Sequence, residues 1–479
     1  VIAPIIFWYR QDLRSIDLPG LNAAAATGRP VLPVFILDDD APGDWSPGGA
    51  SRWWLHHSLR ALAEELRELG ATLVLRRGDS ADVLQTLIRD SGASSVYCSR
   101  QYEPWAADLE QALHATLTPR GVEFKRFPGH LLFEPGSVRT GSDEPFKVFT
   151  PFWRACRKLP EPAQPKAPPD DTLWHTEPVD SDVLEDWALL PRQPDWAAEW
   201  PRLWTPGSAG ARERLQTFLQ DRLGDYASER DRPGVDATSR LSPHLHFGEI
   251  SPRSVWHAAK DAARQAGQDE MADKFLAELG WREFSYHLLT FFPHIPETSF
   301  KPAFEHFPWS GTREQLRAWQ LGQTGYPIVD AGMRELWATG YMHNRVRMVT
   351  ASFLTKHLLI DWRLGERWFW DTLVDADLAS NSCSWQWVAG SGADAAPYFR
   401  IFNPTMQGEK FDAAGDYVRH WVPEIAGLPD KHLHQPSAAP AKVLEEAGVV
   451  LGETYPEPMV DHREAREAAL AAYGEIKGR

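Results

Sequence analysis

Five short strand-like runs, the first two apolar throughout, constrain the first part of this chain more than any other feature. They cover residues 5–9 (IIFWY), 31–37 (VLPVFIL), 72–75, 95–98 and 122–127. The first two, short and continuously apolar, read as buried strands, and the other three read as strands. From the second run onward they are separated by helical periods at Ser51 to Leu69, Ser80 to Asp90 and Pro104 to Leu117, with Ser51 expected as a cap and Gly70 as a stop. Strands alternating with helices imply a parallel sheet covered on both faces, a Rossmann-like α/β architecture. No G-x-G-x-x-G or Walker loop follows the first strand. A ligand is therefore expected in the crevice at the strand ends, and the fold does not name it.

The pattern then changes. Leu159 to Pro206 is rich in Pro, Asp, Glu and Trp and has little periodicity, so it reads as a long connection wrapping a surface. From Ala209 helical periods dominate, at 211–223, 252–265, 271–290, 312–320, 327–339, 344–360 and 365–373, with two short helices near 442–447 and 461–475. The expected organisation is an α/β domain over 1–130, a connector over 131–207 and an all-α domain over 208–479. No internal repeat or low-complexity tract interrupts it.

Composition bounds the function. Hydrophobic content of 43%, no apolar run of membrane length and no signal-peptide pattern give a soluble globular protein, expected in the cytoplasm. Three scattered cysteines supply neither a disulfide nor a zinc framework. A formal net charge of -16 argues against nucleic acid as a partner of the whole surface. Local basic clusters at Arg154/Arg157/Lys158, Arg345/Arg347 and Arg363/Arg367 keep a basic groove open. The 22 tryptophans fill cores, stack bases or carry electrons, and composition does not choose among these.

Four constellations carry chemistry. Thr238-Ser239-Arg240-Leu241-Ser242 precedes Pro243, and hydroxyls with an Arg at a loop–helix junction suit either a phosphate or an ordinary capped turn. Glu278, Trp281, Arg282 and Ser285 share one helix face, which is either solvated or lines a pocket. Asp375-Ala376-Asp377 lacks the further ligands a metal needs, so no metal is expected; a better reading pairs Asp375 with Arg347 and offers the carboxylates to ligand donors. Asn344 and Met348, four apart, share a face, with Arg345 and Arg347 on the same helix. The histidines, including His244, His246, His343 and His357, show no metal-binding spacing and read as structural. Trp309, Trp362, Trp385 and Trp387 read one by one as core residues, and spacing alone proves no electron path.

Taken in order, these motifs resemble the photolyase/cryptochrome family. The resemblance rests on RQDLR (Arg10–Arg14), TSRLSPHLHFGEIS (Thr238–Ser251), WREF (Trp281–Phe284), TGYPIVDAGMR (Thr324–Arg334), MHNRVRM (Met342–Met348), DADLASNSCSWQW (Asp375–Trp387) and PYFRIFNPTMQGEKFD (Pro397–Asp412). The C-terminal YPEPMVDH (Tyr455–His462) points to the bacterial class III branch, near plant cryptochromes. The resemblance implies an antenna-binding α/β domain and a helical domain holding FAD, reduced and anionic in the active state.

Residue by residue, the resemblance implies that Tyr226 and Thr238, Ser239, Arg240, Leu241 and Ser242 cradle the diphosphate and ribityl region. Arg347 and Asp375 form an ion pair against the isoalloxazine, with Ala376 and Asp377 beside it, and Asn381 sits at flavin N5. Glu278, Trp281, Asn344, Met348 and Trp387 match the set that holds a cyclobutane pyrimidine dimer; Asn344 and Met348 stand where six-four enzymes place histidines. Arg230, Arg282, Arg345, Arg400 and Gln407 are expected at the DNA. Trp385, Trp362 and Trp309 match the family's photoreduction triad, from the flavin outward. The implied activity is light-driven repair of these dimers in UV-damaged DNA by a monomer: photoexcited reduced FAD donates an electron to the flipped-out dimer, the ring splits and the electron returns. Glu278 would hydrogen-bond the pyrimidine carbonyl region. The alternative is a blue-light photoreceptor of the cryptochrome type.

Two departures from the family pattern are visible. Phe275 stands where several relatives have Trp. After Gln101-Tyr102-Glu103 come Pro104, Trp105 and Ala106 rather than the Asn-Glu pair of some folate-binding relatives. Methenyltetrahydrofolate is still the expected antenna, with a deazaflavin or an empty site as the alternatives.

Overall fold

The computed structural model describes residues 2–395 and 399–477; Pro397 and Tyr398 of the 397–412 motif lie outside the described residues. Five strands, β1 (Ile5–Tyr9), β2 (Val31–Leu37), β3 (Val74–Arg77), β4 (Ser95–Ser99) and β5 (Glu123–Phe127), form one parallel sheet in the order β3-β2-β1-β4-β5. Among and just after them run α1 (Pro19–Ala25), α2 (Gly49–Glu68), α3 (Ser80–Ser91), α4 (Pro104–Leu117) and α5 (Phe149–Cys156). Then follow α6 (Ser208–Asp221), α7 (Tyr226–Glu229), α8 (Ser242–His246), α9 (Pro252–Gln265), α10 (Asp273–Phe291), α11 (Arg313–Gln320) and α12 (Pro327–Thr339). The remaining helices are α13 (Asn344–Ser352), α14 (Trp362–Thr372), α15 (Leu378–Ala389), α16 (Pro404–Phe411), α17 (Asp416–Trp421), α18 (Asp430–Leu433), α19 (Ala441–Glu446) and α20 (His462–Ile476). No helix of the described residues is long and apolar enough to cross a membrane.

The chain divides into two compact units. The first holds residues 1–224, 239–293 and 374–377; the second holds 225–238, 294–373 and 378–479. In the first unit every residue of β1 and β2 is buried, as a sheet covered on both faces requires. Edge strand β5 instead alternates, exposing Glu123 and Lys125 around buried Phe124. The RQDLR motif is a brace. Buried Arg14 donates to the carbonyls of Gly248 at 2.8 Å, Gly129 at 2.8 Å and Asp17 at 3.0 Å. Gly248 has φ +67, and a Cβ there would lie 2.1 Å from the Gln11 carbonyl oxygen, so only glycine admits this contact. Asp17 accepts from Arg253 at 2.7 Å, tying α9 to the sheet.

In the second unit Asp330 is the hub of the TGYPIVD stretch. Its carboxylate accepts from Thr324 N and Oγ1, both at 2.7 Å, from Gly325 N at 3.0 Å and from Tyr455 Oη at 2.7 Å. That accounts for a completely buried acid and for the docking of the C-terminal YPEP segment.

Several elements differ from the sequence expectation. Ser51 is not a cap: α2 starts at Gly49, with Gly48 at the N-cap. β3 lies two residues later than the apolar run indicates. The helix expected over 344–360 runs only to Ser352 and passes into a π turn over Phe353–His357. In that turn buried Lys356 hydrogen-bonds the Arg400 carbonyl. Helix α15 shows no periodicity because it is buried on most sides; Leu378, Ala379, Asn381, Ser382, Trp385, Gln386, Val388 and Ala389 are all inside.

Candidate functional site

The first unit contributes a loop, a carboxylate pair and a helix face. In the 238–242 loop Arg240 adopts φ +50, a left-handed conformation rare for a side chain of this size. Such a kink turns successive backbone groups, the geometry of an anion-binding concavity. Ser242 donates from Oγ to Asp375 Oδ2 at 2.5 Å, which joins the loop to the 374–377 segment. Asp377 is buried, accepts from Tyr286 Oη, and lies 3.4 Å from His246 Nδ1. Burial alone would raise its pKa; His246, Arg282 and the Tyr286 hydroxyl outweigh that and hold it well below the usual carboxylate range. His130 lies 2.8 Å from the same Tyr286 hydroxyl.

Helix α10 carries Glu278, Trp281, Arg282 and Ser285. The side chain of Glu278 is partly exposed, 3.6 Å from Lys274 one turn earlier. Trp281 lies flat on Phe149 of α5, ring centroids 3.8 Å apart and 10° from parallel. Arg282 turns inward, donating to His130 O at 2.8 Å and reaching His130 Nε2 at 2.6 Å. It braces the helix face from within, and only 11% of its side chain is exposed, so of the two readings of this face, solvated or pocket-lining, Arg282 does not fit the solvated one. Ser285 is buried and donates to Trp281 O at 3.0 Å. Next to Arg282, Glu283 accepts from the backbone N–H groups of Leu132 and Phe133, both at 2.9 Å. Burial pushes its carboxyl up to about 7 against the pull of Arg282 and those two donors. Phe275, at the start of α10, packs on Phe218 with centroids 4.6 Å apart.

The second unit contributes the amide, the tryptophans and most of the arginines. Asn381 is buried on α15, and its Nδ2 donates to the Glu366 carbonyl at 3.0 Å. Arg347 donates from Nε to Met342 O at 2.7 Å and lies over Tyr341. Asn344 is exposed at the start of α13, after the cap His343, with Met348 half-buried one turn on. Arg345 pairs with Asp231 at 2.9 Å, and Arg230 lies near the same carboxylate while resting over the buried ring of Tyr226. Arg400 is exposed and Gln407 half-buried on α16. Trp385 and Trp362 are buried, Trp309 is half-buried against Phe307, and Trp387 is half-buried. Trp385 sits against Gly365, where a Cβ would lie 2.1 Å from its ring.

Sequence reasoning overlooked Tyr286, His130 and His246 around Asp377, and Glu366 with Ser382 around Asn381. Tyr286 was findable, four residues after Arg282 on the same helix face. The others are joined only by the tertiary fold.

These donors fit a flavin nucleotide. The kinked hydroxyl-bearing loop suits phosphate oxygens, Asp375 and Asp377 suit N–H or hydroxyl donors, and a fixed neutral amide suits a ring nitrogen. A parallel-sheet unit and a helical unit, each burying acids and tryptophans, together with a flavin-compatible donor set, define the class of a flavin-dependent protein. Comparison bears this out. Residues 5–170 match the DNA photolyase family, and residues 275–475 match the FAD binding domain of DNA photolyase. The chain is 51% identical over 476 residues to a deoxyribodipyrimidine photo-lyase of Agrobacterium fabrum, covering 99% of this chain and 98% of that one. It is 38% identical to cryptochrome-2 of Arabidopsis thaliana, covering 98% of this chain and 78% of that one. The crystal structure of a bacterial class III photolyase from Agrobacterium tumefaciens superposes with a TM-score of 0.96 at 50% identity, covering 100% of this chain and 98% of that one. The chain belongs to the DNA photolyase family, and its helical part is an FAD-binding domain.

Proposed function

We propose that this protein is a deoxyribodipyrimidine photo-lyase that splits cyclobutane pyrimidine dimers in UV-damaged DNA under light. The observation that carries the reading is the Trp281 ring, held flat by Phe149 one helical turn from Glu278. A dimer is poorly stacked and poorly paired, so extruding it costs less than extruding a normal base. A fixed indole then gives the extruded pair an apolar wall, with Trp387, Asn344 and Met348 assigned to the same task. Glu278 hydrogen-bonds the pyrimidine carbonyl region, where a placed polar group stabilises charge that develops during splitting. Bound reduced FAD supplies the photoexcited electron.

The chain's own residues hold and shield that cofactor. The 238–242 loop and Tyr226 take the diphosphate and ribityl region; Arg347, Asp375, Ala376, Asp377 and Asn381 take the isoalloxazine. The buried Asp377 keeps its charge through Tyr286 and His246. Arg230, Arg345, Arg400 and Gln407 take the DNA backbone, with Arg282 bracing α10 behind Trp281. Trp385 and Trp362 are both buried and Trp309 is half-buried, which suits a path that starts inside and ends toward solvent. We assign the protein to the cytoplasm as a monomer.

For the antenna we favour methenyltetrahydrofolate. A nucleotide-shaped group would seek the switch point between β1 and β4. There Arg10, directly after β1, reaches the Ser99 carbonyl and pairs with buried Glu110 at 2.5 Å, while Arg126 meets Glu110 at 2.8 Å. Paired with one another, these side chains line the strand ends at that point. Retention of added folate through gel filtration, with excitation transfer to the flavin, tests this; retention of a deazaflavin instead overturns it.

The dimer reading is tested in the dark. A strand carrying one thymine dimer should bind at least tenfold tighter than the undamaged strand, a selectivity that an extrusion energy of a few kcal/mol readily supplies. Trp281→Ala should abolish most of that preference. Equal binding of both strands by the wild type would leave the photoreceptor reading.

A further inference from the structure

The basic cluster Arg154/Arg157/Lys158 has no role in the site described so far. It lies on α5 and just beyond it, the helix that also carries Phe149 and Trp153. Phe149 and Trp153 are four apart and share a face. Phe149 is nearly parallel to Trp281, and Trp153 is nearly parallel to Phe149, with centroids 6.3 Å apart and 13° between planes. Three flat rings therefore run in series from Trp281 through Phe149 to Trp153. Trp153 is seated on Gly280 of α10, where a Cβ would stand 2.6 Å from its ring.

Phe149, Thr150, Trp153, Arg154, Arg157 and Lys158 line a cavity of about 520 Å³. Its rim is cationic. Arg157 meets Asp273 at 3.3 Å with half of each side chain exposed, whereas Arg154 and Lys158 are exposed and make no ion pair among the described residues. On a chain of net charge -16, unpaired cations beside flat rings mark a place for an anion that also has a π-face. Nucleotides combine the two: bases stack on aromatic rings and phosphates meet Lys and Arg.

We propose that this cavity is a docking subsite for undamaged nucleotides flanking the lesion on the same strand, held as single strand. A base lies against Trp153 and its phosphates meet Arg154 and Lys158. The inference rests on the reading of Trp281 as a wall of the dimer pocket and extends it outward along α5.

The test uses the full-length, FAD-loaded protein in the dark. The probes are a bare thymine-dimer dinucleotide and single strands carrying the dimer with two, four or six undamaged nucleotides on one flank, 5′ or 3′. Wild type should gain affinity with flank length on one side. Arg154→Ala/Lys158→Ala should lose about tenfold on the flanked strands and least on the bare dimer, and its salt slope should be smaller by about 1.4, roughly 0.7 per lost contact on single strands. No loss, or the same loss at every length, overturns the subsite. If neither protein distinguishes dimer from undamaged dinucleotide, the dimer reading fails instead. The length series on undamaged strands then decides the subsite by itself, supporting it if the double variant loses the gain from length and overturning it if the gain is equal.

Discussion

The side chain of Asn381 is fixed by the main chain of Glu366: Nδ2 donates to that carbonyl at 3.0 Å, deep in the second unit. The Glu366 carboxyl itself is fully buried, accepts from Ser382 Oγ at 2.5 Å, and keeps its other oxygen without a hydrogen-bond partner. One acid thus supports both neighbours on α15, through backbone and side chain separately.

Burial raises the Glu366 pKa well above the ordinary carboxyl value, more than Ser382, Arg363 and Arg367 lower it. The folded state therefore holds a proton that the unfolded chain releases. That contribution to stability is complete below about 4.5 and is lost as pH rises, by at most about 1.4 kcal/mol per unit. Glu366→Gln removes the dependence. Thermal unfolding from pH 5 to 8 should show the variant flat relative to a falling wild type, with flavin content retained. Identical pH slopes would refute the assignment of a neutral carboxyl.

Asp377 has the opposite sign. His246, Arg282 and Tyr286 hold its pKa below the ordinary value despite burial. Its contribution is present above about 4 and is lost as pH falls through the depressed folded value. Asp377→Asn should cost about 1.5–3 kcal/mol near neutrality, the range for a hydrogen bond to a charged group, and should flatten the acid limb. Urea unfolding at pH 7, and in steps from about pH 4 down to about pH 2.5, reads both effects; a variant with an unchanged acid limb would show that Asp377 does not govern it.

Gly280 sets two magnitudes against each other. Alanine in the middle of a helix gains up to about 1 kcal/mol over glycine. Here its Cβ would lie 2.6 Å from the rigid Trp153 ring, and overpacking costs about 1–3 kcal/mol. Gly280→Ala should therefore destabilise the protein, and near-UV circular dichroism should change as Trp153 tilts. A more stable variant would mean that the α5–α10 contact yields easily.

Trp362 is buried, and its indole N–H has no hydrogen-bond partner among the described residues. In the proposed path from Trp385 to Trp309 it is the middle member, needed to photoreduce oxidised flavin and not to repair DNA once the flavin is reduced. Trp362→Phe should slow photoreduction at least tenfold, since one step is about 1.4 kcal/mol of barrier per factor of ten, and leave repair by pre-reduced enzyme nearly intact. Repair lost in the pre-reduced variant would contradict the path.

The parallel sheet was legible because strands such as Ile5–Tyr9 and Val31–Leu37 are apolar throughout and helices such as Ser80–Ser91 have a clean period. Helix α15 was not, since burial on most sides erases the amphipathic stripe. The helix over 344–352 was legible, but its passage into a π turn depends on Lys356 reaching Arg400, a partner 44 residues away. Among site residues, Glu278 and Trp281 were visible from helical spacing. The inward turn of Arg282 was not, because it answers to His130, 152 residues away in sequence. The flavin and dimer roles came from resemblance to a family and not from spacing.

Light-dependent repair by the chemically reduced protein tests the central claim most directly. UV-irradiated oligothymidine is incubated under blue light or in the dark, and the return of thymine absorbance is followed. The account predicts recovery in light and none in the dark, with Glu278→Gln and Trp281→Ala much slower. No recovery in light, with FAD demonstrably bound and reduced, would contradict it.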